Sequence, residues 1–121
     1  MITNLSRKPA ASATVTSAGL KWLPNFDITG LTVGDAYVVS CWVDVARGSA
    51  KVGASSWTTC ATSQRVVWRF NASSTSTTIG VNAEEDSSVT IGKVICCTQE
   101  DWEALRGLGL DYFDGDTMPL Q

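Results

Sequence analysis

Residues 36–46 read AYVVSCWVDVA, and this stretch decides the fold. Alternate positions from Tyr37 to Val45 are all apolar, whereas the positions between them are mixed and include Trp42 and Asp44. Because successive side chains of a strand point to opposite faces, a period of two predicts a strand with one face in a core. The expected inner face consists of Tyr37, Val39, Cys41, Val43 and Val45.

Similar short apolar patterns occur on both sides of this stretch, separated by turn residues. The further expected strands are 12–17, 20–31, 51–56, 64–72, 75–83 and 87–97. Pro24 makes the second of these an edge strand or an irregular connection. The last one slips by one residue at Gly92-Lys93, which predicts a β-bulge. We interpret residues 47–49 as a hairpin turn and residues 57–63 as a loop.

The pattern changes at Thr98, where an N-cap residue is followed by an acidic turn and by Trp102 and Leu105 at helical spacing. A chain of 121 residues has the size of one domain. We therefore expect an all-β fold, an antiparallel β-sandwich or a barrel, with a short C-terminal helix. Residues 1–121 form the single domain, and residues 97–121 are the helix and a tail packed on the sandwich.

The net charge of −3, with Lys and Arg scattered along the chain, argues against nucleic-acid binding. No apolar run suits a secretory signal or a membrane span, so we do not expect insertion into a membrane. We expect the protein to be made in a reducing cytosol. Four cysteines, at 41, 60, 96 and 97, are then expected to be buried, reduced core residues. A disulfide from Cys41 or Cys60 to one of the adjacent pair, and a metal site, are the alternatives.

The chain contains no histidine, which removes histidine-based triads and the usual metal-activated water sites. Carboxylates cluster at 84–86, where we expect a solvated turn, and at Asp114 and Asp116. That second pair is expected to fix a turn around Gly115, with a structural calcium ion as the alternative. We therefore predict a protein that is not an enzyme and has no cofactor.

Five tryptophans are the most informative functional feature of the chain. Sugar rings stack their C–H faces on aromatic side chains, and their hydroxyl groups need polar partners nearby. Trp68 and Trp102 fit structural roles, and Trp22 stays undecided. The candidate carbohydrate-binding residues are Trp42, Asp44 and Trp57, followed by Arg65, Arg69 and Asn71. The alternative is that this mixed face packs against a neighbouring chain.

Two stretches carry a family resemblance. Residues 28–43, ITGLTVGDAYVVSCWV, resemble the "sGLtpGttYtlSaYv" stretch of carbohydrate-binding-module-like jelly rolls. The C-terminal region from Trp102 to Thr117 resembles the end of such domains in minor tail proteins of phages that infect actinobacteria. The residues that match its signature are Tyr112, Phe113, Asp114, Gly115 and Asp116. The chain departs from the family at Gly92-Lys93, where relatives often carry an aspartate.

The resemblance implies that the all-β fold is an antiparallel β-sandwich, a jelly roll of the galactose-binding-like type. It also implies a virion protein, made in the bacterial host cytoplasm, that acts as a minor tail or surface-decoration component with a carbohydrate-binding-like adhesion domain. Its implied partners are other proteins of the tail or capsid, a host cell-surface glycan, and further copies of itself in a homo-oligomer. A structural module that docks onto capsid or tail without any ligand is the alternative hypothesis. Burial or exposure of Trp42 and Trp57 distinguishes between the two.

Overall fold

The computed structural model describes residues 2–6, 13–16, 18–54, 57–110, 112 and 117–118. The chain forms ten strands and one helix in these residues. The strands are Ile2–Thr3 (β1), Ala13–Val15 (β2), Gly19–Ile28 (β3), Ala36–Arg47 (β4), Ala50–Gly53 (β5), Trp57–Cys60 (β6), Gln64–Asn71 (β7), Thr77–Ala83 (β8), Ser88–Thr98 (β9) and Thr117–Met118 (β10). The helix, α1, spans Gln99–Gly107.

Two four-stranded antiparallel sheets form the sandwich. One has the order β2-β9-β4-β7 and is called the β4 sheet; the other has the order β3-β8-β5-β6 and is called the β8 sheet. Between β2 and β9, every connection except β5–β6 leads from one sheet to the other. This is the strand order of a jelly roll, and the predicted all-β sandwich with a short C-terminal helix is confirmed. A small β1–β10 ladder joins the two chain ends.

The predicted inner face of β4 is confirmed. Its residues from Tyr37 to Val43 at alternate positions are at most 3% exposed, and Val45 packs against the same core at lower burial. Val66 and Trp68 of β7 and Ile79 and Val81 of β8 enter the same core. Rows of β-branched side chains on two facing sheets thus fill one interior, and each fully buried aliphatic side chain stabilises the fold by about 1.5–3 kcal/mol.

Two local predictions from the sequence correspond to observed features. Strand β9 gains one residue against β4, because Ser40 pairs with Ile95 while Trp42 pairs with Gly92. Two steps along β4 therefore match three along β9, which is the predicted bulge. Strand β3 lies at a sheet edge and shifts register between Leu23 and Ile28, as Pro24 suggested.

Helix α1 begins where predicted. The Thr98 hydroxyl accepts a hydrogen bond from Asp101 N at 3.2 Å, which satisfies one free N–H of the first turn. Trp102 and Leu105 are buried and pack on the outer face of the β4 sheet, over Val38 and Ile95. The helix therefore covers one end of that face, and the other end stays open.

Two sequence interpretations are wrong. Residues 47–49 do not close a hairpin, because β4 and β5 belong to different sheets and the turn crosses between them. Residues 57–60 are not loop but strand β6, which pairs with β5. The first error arises because alternation shows which side chains face the core and does not show which sheet a strand joins. The second arises because β6 has only four residues, which is too short for a clear alternating pattern.

All four cysteines are buried free thiols, as expected. Cys41, Cys60 and Cys96 belong to the main core, whereas Cys97 lies in the cluster beneath α1. Burial raises the pKa of Cys41 to about 12, and the nearby Cys60 thiol adds to the effect. Burial and the Asp101 carboxylate likewise raise the pKa of Cys97 to about 12. These thiols are therefore protonated, small apolar side chains at neutral pH.

Candidate functional site: a pocket on the β4 sheet

The outer face of β4 divides into a covered half and an open half. Val38 and Ser40 are at most 1% exposed, whereas Trp42 is 39% exposed and Asp44 is exposed. All four lie on one side of the strand, because they are two residues apart. The open half begins where the helix no longer covers the sheet.

The Trp42 ring is held by its neighbour on the strand. Its Nε1 donates a hydrogen bond to Asp44 Oδ1 at 2.7 Å. A charge-assisted bond of this length favours this orientation of the indole on the sheet. Asp44 therefore acts as a positioning group for the exposed aromatic face.

Arg65 and Lys93 flank Trp42 from the two neighbouring strands. Arg65 of β7 is directly opposite Trp42 in the ladder, so the two side chains share a face. Lys93 lies in the bulge of β9 and has a φ of 50°. A bulge redirects a side chain relative to the regular pleat.

These side chains surround a cavity of about 260 Å³, which we call the Trp42 pocket. Its lining residues are Ser40, Cys41, Trp42, Arg65, Lys93 and Tyr112. Tyr112 also packs against the cluster beneath α1, so the pocket lies beside the end of the helix region. Two aromatic residues, two cationic residues, a serine and a cysteine therefore line one small opening.

The structure brings together some of the predicted site residues and separates others. Trp42, Asp44 and Arg65 are neighbours on the open half of the β4 sheet. Arg69 shares that outer face but pairs with Val38, four residues from Arg65 and roughly 13 Å further along the strand. Asn71 lies further still and lines a different cavity, of about 90 Å³.

Trp57 lies on the opposite side of the sandwich from Trp42. On the β8 sheet, Trp57 pairs with Gly53, Gly53 pairs with Gly80, and Gly80 pairs with Trp22. The two tryptophans thus end a row that crosses the sheet, and their ring centroids are 6.1 Å apart at 62°. They are 39% and 52% exposed, and we call them the Trp22–Trp57 pair.

The predicted C-terminal signature is only partly visible. Tyr112 lines the Trp42 pocket, whereas Phe113, Asp114, Gly115 and Asp116 lie outside the described residues. The possible calcium ligands therefore lie outside them as well. In the part of the chain that the structure describes, no group of three His, Cys, Asp or Glu side chains could hold a metal ion.

Sequence reasoning missed Lys93 and Tyr112 as pocket residues. The slip in the β9 pattern was a usable indication for Lys93, because bulges are common beside binding sites. Nothing local to Tyr112 indicates its neighbours, since its place depends on how the chain returns after α1.

A scan against protein-family models and a search of curated proteins both found no match. No helix within the described residues has the length and apolar character needed to cross a membrane.

Proposed function

We propose that this domain is a non-catalytic, glycan-binding adhesion module of a phage virion, in a minor tail or surface-decoration protein. The observation that carries the proposal is the Trp42 pocket, where an oriented, exposed indole lies beside polar side chains. The virion assignment rests on the sequence resemblance at residues 28–43 and 102–117. The jelly roll by itself supports neither part, because one fold hosts many functions.

The pocket has the components that a sugar ring requires. The exposed face of Trp42 can stack on the C–H face of a pyranose, and an aromatic contact of this kind contributes about 0.5–1.5 kcal/mol. The side chains of Arg65 and Lys93 can donate hydrogen bonds to ring hydroxyls, and Asp44 keeps the indole in place. Sugar binding in the Trp42 pocket needs no catalytic residue.

The absence of histidine from the sequence and the position of the acidic cluster support a non-catalytic role. Glu84, Glu85 and Asp86 are exposed in the turn between β8 and β9. A glycosidase needs two carboxyl groups on opposite walls of a cleft. An exposed turn of adjacent carboxylates does not provide that arrangement.

A glycan array tests the proposal directly. The labelled domain is expected to bind at least one class of bacterial surface glycan, and Trp42→Ala should weaken binding by roughly tenfold. Trp22→Ala is the matched control, because it removes an exposed tryptophan from the opposite sheet. If the parent binds no glycan, or if both variants bind like the parent, the Trp42 pocket is not a glycan site. Mass spectrometry of purified phage particles tests the virion assignment.

The alternative function is a structural module that binds other virion proteins or further copies of itself. The Trp22–Trp57 pair favours it, because with Leu20 at 47% exposure it places three large apolar side chains on the outer face of one sheet. Sedimentation velocity of the parent and of a Trp22→Ala/Trp57→Ala variant tests self-association. A parent that stays monomeric at high concentration would exclude a homo-oligomer built on this face.

A further inference from the structure

We propose that the glycan site extends from the Trp42 pocket across β9 to β2, so that its ligand is a linear oligosaccharide and not a single sugar; this rests on the proposed glycan-binding function. The strand pairing carries the inference, because it places polar side chains of three neighbouring strands in one row beside Trp42. Asp44 of β4 pairs with Thr90 of β9, and Thr90 pairs with Thr14 of β2. We call Asp44, Thr90 and Thr14 the polar row.

The two threonines of the polar row point away from the core. Val15 and Val89 pair with each other and belong to the main core. Thr14 and Thr90 precede and follow them in sequence, and successive side chains of a strand alternate between faces, so both threonines lie on the outer face. Thr14 is exposed and Thr90 is partly buried. The polar row therefore lies on the same face of the sheet as the pocket.

The chemistry of the polar row suits the hydroxyl groups of a sugar chain. Thr14 Oγ1 and Thr90 Oγ1 are 2.8 Å apart, and one of them donates a hydrogen bond to the other. Since a hydroxyl group can donate one bond and accept two, the pair keeps both donor and acceptor capacity for a ligand. Asp44 Oδ1 accepts the hydrogen bond from Trp42 Nε1, and a carboxylate can accept further bonds from sugar hydroxyls. An aromatic face, a carboxylate and two hydroxyl groups thus follow one another across the sheet.

The length of the polar row distinguishes a chain from a single sugar. Neighbouring strands lie about 4.8 Å apart, so the two steps from β4 to β2 cover about 10 Å. One pyranose ring is shorter than that distance. A ligand that stacks on Trp42 and also contacts Thr14 must therefore run across the strands, with about three linked rings. A single sugar stacked on Trp42 would leave the far end of the polar row without a contact.

A series of chain lengths tests the inference. Linear chains of one to four residues, each made of glucose, mannose, galactose or N-acetylglucosamine alone, are titrated into the domain and followed by calorimetry. For at least one of these sugars, the trimer should bind about tenfold more tightly than the monosaccharide, because it adds hydrogen bonds to the polar row. The fourth residue should add little, since it lies beyond Thr14.

Three variants assign the gain in affinity to the polar row. Thr14→Val/Thr90→Val removes both hydroxyl groups but keeps β-branched side chains, so it should weaken binding of the trimer by about tenfold and leave binding of the monosaccharide unchanged. Trp42→Ala should weaken binding of both ligands, because both stack on the indole. Thr59→Val is the matched control, since Thr59 is exposed on the β8 sheet, and it should bind like the parent. A double variant that binds the trimer like the parent, or that loses both ligands equally, would overturn the role of the polar row.

The remaining outcomes distinguish this inference from the proposed function. Monosaccharides that bind as tightly as their trimers would overturn the extended site and leave the glycan-binding proposal intact. A positive glycan array combined with no binding of any of these linear chains would also overturn the inference alone. If no chain binds and the glycan array is negative as well, both the inference and the proposed function fail.

Discussion

At the scale of single residues, Asn4 takes the place of a neighbouring strand beside the second half of β9. Its Nδ2 donates to Val94 O at 2.9 Å, and its Oδ1 accepts from Cys96 N and Ser6 N, each at 3.0 Å. Asn4 is only 5% exposed, so water does not readily replace these bonds. One amide side chain thus satisfies both a donor and an acceptor of β9 just after the bulge.

Asn4→Ala is therefore expected to lower the free energy of unfolding by about 2–4 kcal/mol, because it leaves a buried carbonyl and a buried N–H without their partner. Asn82→Ala, at an exposed position of β8, should change it by less than about 0.5 kcal/mol. Urea denaturation measures both variants. Equal losses at the two sites would show that the Asn4 hydrogen bonds are not important for stability.

At the scale of elements, the sequence predicts what depends on neighbouring positions. The inner face of β4, the slip at Gly92-Lys93 and the helix start at Thr98 each depend on a few adjacent residues, and each is found in the structure. The buried role of Asn4 could not be predicted, because its partners on β9 are about ninety residues away. Local patterns carry no information about such distant pairing.

The candidate site was partly predictable for the same reason. The sequence predicts Trp42 and Asp44 as neighbours because they are two apart on one strand, and it predicts Arg65 from the outer face of β7. The sequence does not separate Trp57 from them, since no local pattern shows that β6 joins the other sheet. Composition suggests which residue types could bind a sugar, whereas topology decides which of them meet.

The turn between β4 and β5 depends on a glycine that packs closely. Gly48 has a φ of 75°, and a Cβ there would lie 2.8 Å from Ser87 Cα. The Ser87 hydroxyl donates to Ser49 O at 2.8 Å and accepts from Ser49 N at 3.0 Å. The crossing turn therefore rests directly on the start of β9, and the two sheets are connected at this point.

Gly48→Ala is expected to destabilise the fold by about 2–4 kcal/mol, since it adds a backbone clash to the conformational strain. Gly34→Ala is the control, because Gly34 also has a positive φ, 91°, but a Cβ there meets no atom of the described residues within 4 Å. That variant should cost only about 1–2 kcal/mol. Thermal unfolding of both variants measures the difference, and equal losses would exclude a contribution from the Ser87 contact.

At the scale of the whole molecule, the jelly-roll order gives the domain two outer faces of different character. One carries the Trp42 pocket with its cationic lining, and the other carries the Trp22–Trp57 pair. Because the faces belong to different sheets, a ligand and a protein partner could be bound at the same time without competing. The two proposed functions therefore depend on different residues, and separate substitutions can remove each of them.

The interior shared by these faces holds Cys41, Cys60 and Cys96, while Cys97 is buried beneath α1. The protonation of these four thiols links stability to pH. Burial raises the pKa of each thiol above 9.0, to about 12 for Cys41 and Cys97. A raised pKa in the folded state means that the unfolded chain releases its thiol protons first as pH rises. The thiol contribution to stability is therefore complete below about pH 9 and is lost as pH rises from 9 towards 12.

We expect the free energy of unfolding to fall above pH 9 by up to about 1.4 kcal/mol per pH unit for each buried thiol. A Cys41→Ala/Cys96→Ala variant, which lacks two such groups, should be less stable at neutral pH because of the volume lost from the core. Its stability should nevertheless fall less steeply with pH, because two fewer protons are released on unfolding. Urea denaturation between pH 7 and pH 10.5 measures how steeply the free energy of unfolding falls with pH in the parent and in the variant. If the curves run parallel, the thiols are not the groups that link stability to alkaline pH, and the core tolerates their ionisation.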